Sequence, residues 1–329
     1  MEPKASESRP SLNPWNFLAL PEELAAAGRA RGWVLPIPYE GTTSYGAGTR
    51  NGPAAIIAAS RQVEWFDREF DGEPVTEFGI HTMSPLGLVH RSPEAMVEAI
   101  GAAVTGILSE SAGEEGAGTS LSSEPVPSSP RAPDVLAVLG GEHTISVGVV
   151  RGLARAKGAE GLVAVQIDAH ADLRDEYEGS PYSHACAARR ILETCPLFQI
   201  GIRNISAAEE QFRRQSSRVW TFFAEEAAEG PELLEELGRF VRGKRVFLTI
   251  DLDGLDPAIM PAVGTPEPGG LSWARTLDVV RVVCRESAGV PVFDVVELAP
   301  IPGLLGPDFL AAKLVYKIMS LALSRPRRD

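Results

Sequence analysis

GLVAVQIDAHADLRDEYEGSPYSHA, residues 161–185, sets how the rest of the chain is read. Its apolar run, Leu162–Ile167, has the length of one strand and ends abruptly in Asp168, His170 and Asp172, with His184 following. Continuous apolarity, as opposed to alternation, marks a strand covered on both faces. Carboxylates and imidazoles at the mouth of such a strand are costly to bury unless something pairs with them.

The same pattern recurs along the chain. Trp33–Ile37, Val135–Leu139, Phe198–Ile202, Val246–Ile250 and Pro291–Val296 are further short apolar runs. Helical patterns lie between or beyond them at 93–109, 145–157, 184–195, 231–242, 273–287 and 308–323. Alternation of this kind predicts an α/β fold with a mostly parallel sheet. No internal repeat is present. Residues 1–14 read as a disordered tail without the apolar core of a signal peptide. Residues 109–133, rich in Ser, Gly, Pro and Glu, have almost nothing to bury and read as a disordered insertion. The remainder, 15–329, is expected to be one domain, because the strand–helix rhythm continues on the far side of the insertion.

Composition narrows the class. A content of 44% hydrophobic and 23% charged residues suits a globular protein, and no apolar stretch reaches the ~18 residues of a membrane span. The three cysteines form no disulfide framework, so a reducing, cytoplasmic setting is expected. A formal net charge of −13 argues against nucleic-acid binding and mildly favours cationic substrates.

Placed on this map, the ionisable clusters coincide with strand ends. Val135–Leu139 runs into Gly140-Gly141-Glu142-His143, and Val246–Ile250 into Asp251, Asp253 and Asp256. Pro291–Val296 runs into Glu297. In open parallel sheets ligands bind at the carboxyl edge. Asp168, His170 and Asp172, like Asp251 and Asp253, are spaced two apart, so their side chains share a face while the chain stays extended. Four carboxylates gathered there repel one another and must take up protons or cations. Two divalent cations would neutralise them. Mixed aspartate and imidazole donors suit a borderline metal such as manganese better than calcium, and the absence of clustered Cys argues against structural zinc. Asp256, before Pro257, reads as a turn former, and Gly140 and Gly141 as points of close backbone approach. His81 and His90 fall outside every motif.

With these residues on the page, three segments resemble the arginase/agmatinase family of ureohydrolases. They are GGEHTI (140–145), DAHADLRDEYEGSPYSHA (168–185) and TIDLDGLDPAIMPAVGTPEPGGLS (249–272). PYEGTTSYGAGTRNGPAAI (38–56) is similar to the agmatinase branch in particular. The resemblance spans most of the chain from about residue 30. It implies a three-layer α/β/α domain with a mostly parallel central sheet, and two Mn2+ ions, one held by His143, Asp168, Asp172 and Asp251, the other by Asp168, His170, Asp251 and Asp253. It also implies that His184 shuttles a proton, that Glu297 pairs with the guanidinium, that Thr265 lines its pocket, and that the chain assembles as a homo-oligomer, a trimer or hexamer.

That constellation explains the chemistry. A guanidinium carbon is a poor electrophile, and metal ions can lower the pKa of water from about 15.7 to about 7. The departing amine needs a proton, and histidine is the side chain whose ordinary pKa lies near neutrality. Agmatine is the favoured substrate. Asp175 and Glu176, with Glu178, could meet its distal ammonium, or be solvated loop acids. Guanidinobutyrate, arginine, formiminoglutamate and aminopropyl-agmatine stay open. Two other classes stay open as well. A metal phosphohydrolase would need a phosphate cradle, which is absent from the sequence. A non-catalytic assembly subunit would be expected to lack ligands, and none is missing.

Overall fold

The computed structural model describes residues 15–109 and 131–324. The expected tail at 1–14 and nearly all of the expected insertion lie outside these residues. Eight strands form one sheet: β1 (Gly32–Ile37), β2 (Ile80–Thr82), β3 (Val135–Gly140), β4 (Leu162–Ile167), β5 (Leu197–Ile202), β6 (Val219–Phe223), β7 (Arg245–Asp251) and β8 (Gly289–Val296). Their order is β2-β1-β3-β8-β7-β4-β5-β6, and every pairing is parallel. The expectation of a mostly parallel sheet is met by a wholly parallel one.

Two helical layers cover the sheet. Alternate residues of β3 show this directly: Val135, Ala137 and Leu139 join one core, Leu136 and Val138 the other. The first core is closed by helices Gly52–Ser60, Glu232–Val241, Trp273–Glu286 and Gly306–Leu323; the second chiefly by Pro93–Leu108 and Ile145–Lys157. Both faces of the central strands are therefore dry, which is why they read as unbroken apolar runs.

The helices stop where their sequences direct. Ser92 accepts from Ala95 N at the start of Pro93–Leu108, and Ser272 accepts from Arg275 N at the start of Trp273–Glu286. The expected helix 184–195 is shorter and tighter, a 3₁₀ turn at His184–Cys186 followed by a single α segment, Ala187–Ile191. Among the described residues no helix is long and apolar enough to cross a membrane.

Strand order matters for the site. The four strands β3, β8, β7 and β4 are adjacent at the centre of the sheet. The polar clusters that end them thus meet over one stretch of the carboxyl edge.

Candidate metal centre and active site

The segments after β3, β4 and β7 converge with little space between them. A Cβ on Gly141 would lie 1.8 Å from the Tyr39 carbonyl oxygen, and one on Gly254 would lie 2.7 Å from Asp168 N. Only glycine lets these backbones cross so closely. Two acids of the site, Asp172 (φ 51°) and Glu297 (φ 67°), occupy the left-handed region that non-glycine residues seldom adopt. Strain of this kind is held by surrounding structure and concentrates at functional sites.

The carboxylates gather around one imidazole. His143 Nδ1 lies 3.1 Å from Asp168 Oδ2, 3.2 Å from Asp251 Oδ2 and 3.3 Å from Asp172 Oδ2, yet makes no hydrogen bond of good geometry. Its other nitrogen, Nε2, is 3.0 Å from the Thr249 hydroxyl. A hydrogen donated there leaves the Nδ1 lone pair facing three carboxylate oxygens, the arrangement expected of a metal-ligating histidine. A second group adjoins it: His170 Nδ1 lies 2.9 Å from Asp253 Oδ2 and 3.7 Å from Asp168 Oδ1. Among the described residues, His143/Asp168/Asp172 and Asp168/His170/Asp253 each bring their donor atoms within 4.8 Å of one another. Asp168 belongs to both. Asp251 stands between them, with Oδ1 accepting from Asp253 N at 2.9 Å.

Electrostatics show the same strain on the cluster. Burial, then the charges of Asp253 and Asp172, push Asp168 up to about 7. Burial, then the charges of Asp253 and Asp168, hold Asp251 well above the ordinary carboxylate range. Burial would raise Asp253 as well, but its bond to His170 brings it down to about 2. Burial opposes the charged form of both imidazoles. Carboxylates outweigh it, lifting His170 to about 11 and His143 well above its usual value. Without a cation the acids must hold protons and the imidazoles must stay charged; bound cations would take the place of those protons and leave His143 neutral, so the counter-charge that suits the set is cationic. Oxygen and imidazole donors in two adjoining groups with a shared carboxylate fit a pair of divalent metal ions.

The cluster floors an open cleft of about 830 Å³, counted out to its mouth. Glu297, His184 and Thr265 line it, with Thr43–Gly46, Arg174 and Tyr177 nearer the rim. Glu297 accepts from His143 N at 2.6 Å, and burial, followed by the nearby Glu142, raises its pKa well above normal. Thr265 Oγ1 is 3.5 Å from Asp253 Oδ2. His184 is held by hydroxyls, with Thr42 Oγ1 3.3 Å from Nδ1 and Ser44 Oγ 3.3 Å from Nε2. Its ring meets that of Tyr177 edge-on, with centroids 6.1 Å apart.

Asp175 and Glu176 are not brought to this cleft. Asp175 pairs with Arg190, with Arg189 Nε 3.7 Å away, and Glu176 is exposed. A tight turn directs them outward: Glu178 and Gly179 both take positive φ, and Tyr177 and Ser180 exchange two 3.0 Å backbone hydrogen bonds. Glu267 lies beside two residues that line the cleft, 2.5 Å from Asn204 Nδ2 and 3.8 Å from His170 Nε2.

Other residues that serve the site were not singled out by sequence. Gln166 donates to Asp168 Oδ2 at 2.6 Å, and Gln199 donates to Gln166 and to the Ala171 carbonyl. Asp294 is fully buried beside the Thr249 and Ser146 hydroxyls. Burial raises it to about 6, although the His143 charge and those hydroxyls pull the other way, and neither of its oxygens has a hydrogen bond of good geometry. Each of Gln166, Gln199, Thr249 and Asp294 is a polar residue flanked on both sides by apolar residues of its strand. That interruption is the signal by which they can be found.

A model of the arginase family matches residues 31–320 of the chain. The chain belongs to the arginase family. This ureohydrolase is 38% identical over 291 residues to an N(1)-aminopropylagmatine ureohydrolase of Synechocystis sp., covering 87% of each chain. It is 37% identical over 309 residues to an enzyme of the same name from Thermus thermophilus, covering 92% of this chain and 94% of the relative. Its fold superposes on the crystal structure of agmatine ureohydrolase of Thermoplasma volcanium with a TM-score of 0.75, at 26% identity and 97% coverage of both chains. It is a hydrolase of the ureohydrolase type, and its His/Asp clusters could hold metal ions, as befits a family of binuclear metal enzymes.

Proposed function

We propose that this ureohydrolase releases urea from a guanidino polyamine with two Mn2+ ions bound. His143, Asp168, Asp172 and Asp251 would hold one, and Asp168, His170, Asp251 and Asp253 the other. The observation that carries this reading is the bare Nδ1 of His143, ringed by three carboxylate oxygens at 3.1–3.3 Å. When bound, the two cations lower the pKa of water and make hydroxide available near neutral pH.

The chain's own residues do the rest. Glu297, buried in the floor of the cleft, accepts from guanidinium N–H groups, and the substrate's positive charge restores its ionised form. Thr265 lines the guanidinium pocket beside Asp253. Water adds to the guanidinium carbon and the carbon–nitrogen bond to the alkyl chain breaks. His184 gives a proton to the departing nitrogen, so the products are urea and a primary amine.

Relatives named for N(1)-aminopropylagmatine, at 37–38% identity, support a substrate longer than agmatine. Such a molecule carries further ammonium groups along its tail. The cleft offers the face of Tyr45, which is 85% exposed, and Glu267 stands next to its lining residues Asn204 and His170 to receive them. Agmatine itself is the second reading, favoured by the agmatine ureohydrolase whose fold this chain shares. Asp175 and Glu176, turned away from the cleft, have no part in either. We also propose a homo-oligomer, a trimer or hexamer, supported by the exposed apolar side chains Ile301, Leu304, Leu305 and Phe309; light scattering checks it.

Urea release from a panel of guanidino compounds, with and without added Mn2+, tests the function. The expected order of kcat/KM is N(1)-aminopropylagmatine, agmatine, then arginine and guanidinobutyrate. Arginine at the head of that order would overturn the substrate reading. No urea from any of them with Mn2+ present would overturn the function.

A further inference from the structure

One buried side chain fastens the loop after β1 to the site. Glu142, with no exposed surface, accepts from Gly41 N and Thr42 N through Oε2, both at 2.7 Å, and from the Thr42 hydroxyl through Oε1 at 2.7 Å. Thr42 then meets His184 twice. Its Oγ1 accepts from His184 N at 3.0 Å and lies 3.3 Å from His184 Nδ1. Two other hydroxyls are in reach, Thr144 at 3.3 Å from Thr42 Oγ1 and Ser183 at 3.4 Å from His184 Nδ1.

Counting hydrogens fixes the direction of this chain. A threonine hydroxyl has one hydrogen and two lone pairs. The hydrogen of Thr42 goes to Glu142, whose carboxylate only accepts. The backbone N–H of His184 can only donate. Thr42 Oγ1 therefore presents lone pairs alone to His184, and its contact with Nδ1 is a hydrogen bond only if Nδ1 carries the hydrogen.

We propose that Glu142, acting through the Thr42 hydroxyl, holds neutral His184 as the Nδ1–H tautomer. Nε2, beside Ser44 on the cleft wall, is then the nitrogen that exchanges its proton with the reaction. Glu142 and Thr42 are positioning residues. The consequence for turnover rests on His184 being the proton donor; the tautomer does not.

The two roles separate by nitrogen-15 NMR of histidine-labelled protein. Mg2+ replaces any paramagnetic ion, and the His184 signal is assigned by its loss in His184→Ala. The wild type is expected to show Nδ1–H. In Glu142→Gln the amide oxygen keeps the two backbone N–H bonds while its NH2 faces Thr42. The threonine hydrogen then turns to Nδ1, and His184 becomes Nε2–H. Thr42→Val gives a mixture, and Thr42→Ser restores the wild-type signal. Turnover falls about ten- to a hundredfold in Glu142→Gln and Thr42→Val, part of the range of general acid–base catalysis, with KM within about twofold and Thr42→Ser near wild type. An Nε2–H wild type overturns the proposal, as does a tautomer unmoved in both Glu142→Gln and Thr42→Val. If the tautomer follows the variants while His184→Ala keeps full turnover, the positioning stands and the proton-donor role falls.

Discussion

Among the described residues, two clusters of ionisable side chains that are buried in whole or in part are solved differently. Under helix Gly306–Leu323, Lys317 Nζ lies 2.7 Å from Asp67 Oδ2 and 2.7 Å from Glu69 Oε2, and Arg281 closes on Glu69 at 3.0 Å. Two cations there face these two acids, Arg281 also reaching the more exposed Asp278 at 2.9 Å, and each charge has its partner within the chain. Burial would raise Glu69, but Arg281 and Lys317 outweigh it and hold the carboxyl below its usual range. At the carboxyl edge of β3, β4, β7 and β8, four aspartates face two histidines, and Asp168 is driven up to about 7. The first cluster joins three segments of chain. The second is left short of positive charge. A buried ionic group that the chain itself neutralises serves the fold; one that it leaves open is where a ligand completes the structure.

Removing a ligand from the open cluster has the largest effect. Asp253→Ala is expected to lower turnover by about four orders of magnitude or more, and to reduce bound Mn2+ below two per chain by elemental analysis. Unchanged metal content with full activity would remove Asp253 from the metal site. His184→Ala is expected to cost turnover about two to four orders of magnitude while leaving both metal ions in place, as single-turnover kinetics and metal content would record together.

The closed cluster behaves in the opposite way. Lys317→Met strands Asp67 and leaves Glu69 to Arg281 alone, so urea denaturation is expected to show a loss of about 3–5 kcal/mol. Metal affinity and turnover at 25 °C stay as they were. A fall in metal affinity would mean that the clusters are coupled after all.

The pH dependence of the metal-free protein carries the same contrast on a smaller scale. Asp168 keeps its proton up to about 7, whereas an unfolded aspartate releases it near ~3.9, so the folded chain binds more protons between. Stability due to that group therefore falls as pH rises through this window. His170, charged up to about 11 against ~6.5 unfolded, has the same sign above neutrality. Asp253, near 2, acts only below about pH 4. The melting temperature in EDTA is thus expected to drop from pH 5 to pH 8, and added Mn2+ to reverse the trend, since metal must displace those protons. A metal-free melting temperature that climbs over this range would contradict the charge assignment. The smallest effect belongs to Asp175→Ala: the residue is paired on the surface with Arg190, and KM is expected to move by less than about twofold.

The parts of this molecule legible in sequence are those under the most uniform physical constraint. Leu162–Ile167 is apolar throughout because both faces are covered, and its predicted and observed ends coincide. Helix Ile145–Lys157 does the same, ending at Gly158 with φ 82°. The strands missed are the two at the edges. Ile80–Thr82 is three residues long, and Val219–Phe223 is half-exposed, so neither shows a buried run. Residues at the site divide in the same way. His143, His170, His184 and the aspartates are legible because acids and imidazoles rarely follow apolar strands. Asp175 and Glu176 point elsewhere because a two-residue turn, invisible to charge counting, rotates them outward. Glu142 was visible in GGEH, but its hold on Thr42 depends on a loop a hundred residues away.

The central claim is that the open cluster holds two divalent cations around Asp168. Anomalous diffraction at the manganese edge, from crystals grown with Mn2+, tests it most directly. Two peaks are expected. One would lie among His143, Asp168, Asp172 and Asp251, the other among Asp168, His170, Asp251 and Asp253. A single peak, or none within reach of Asp168, would contradict the account.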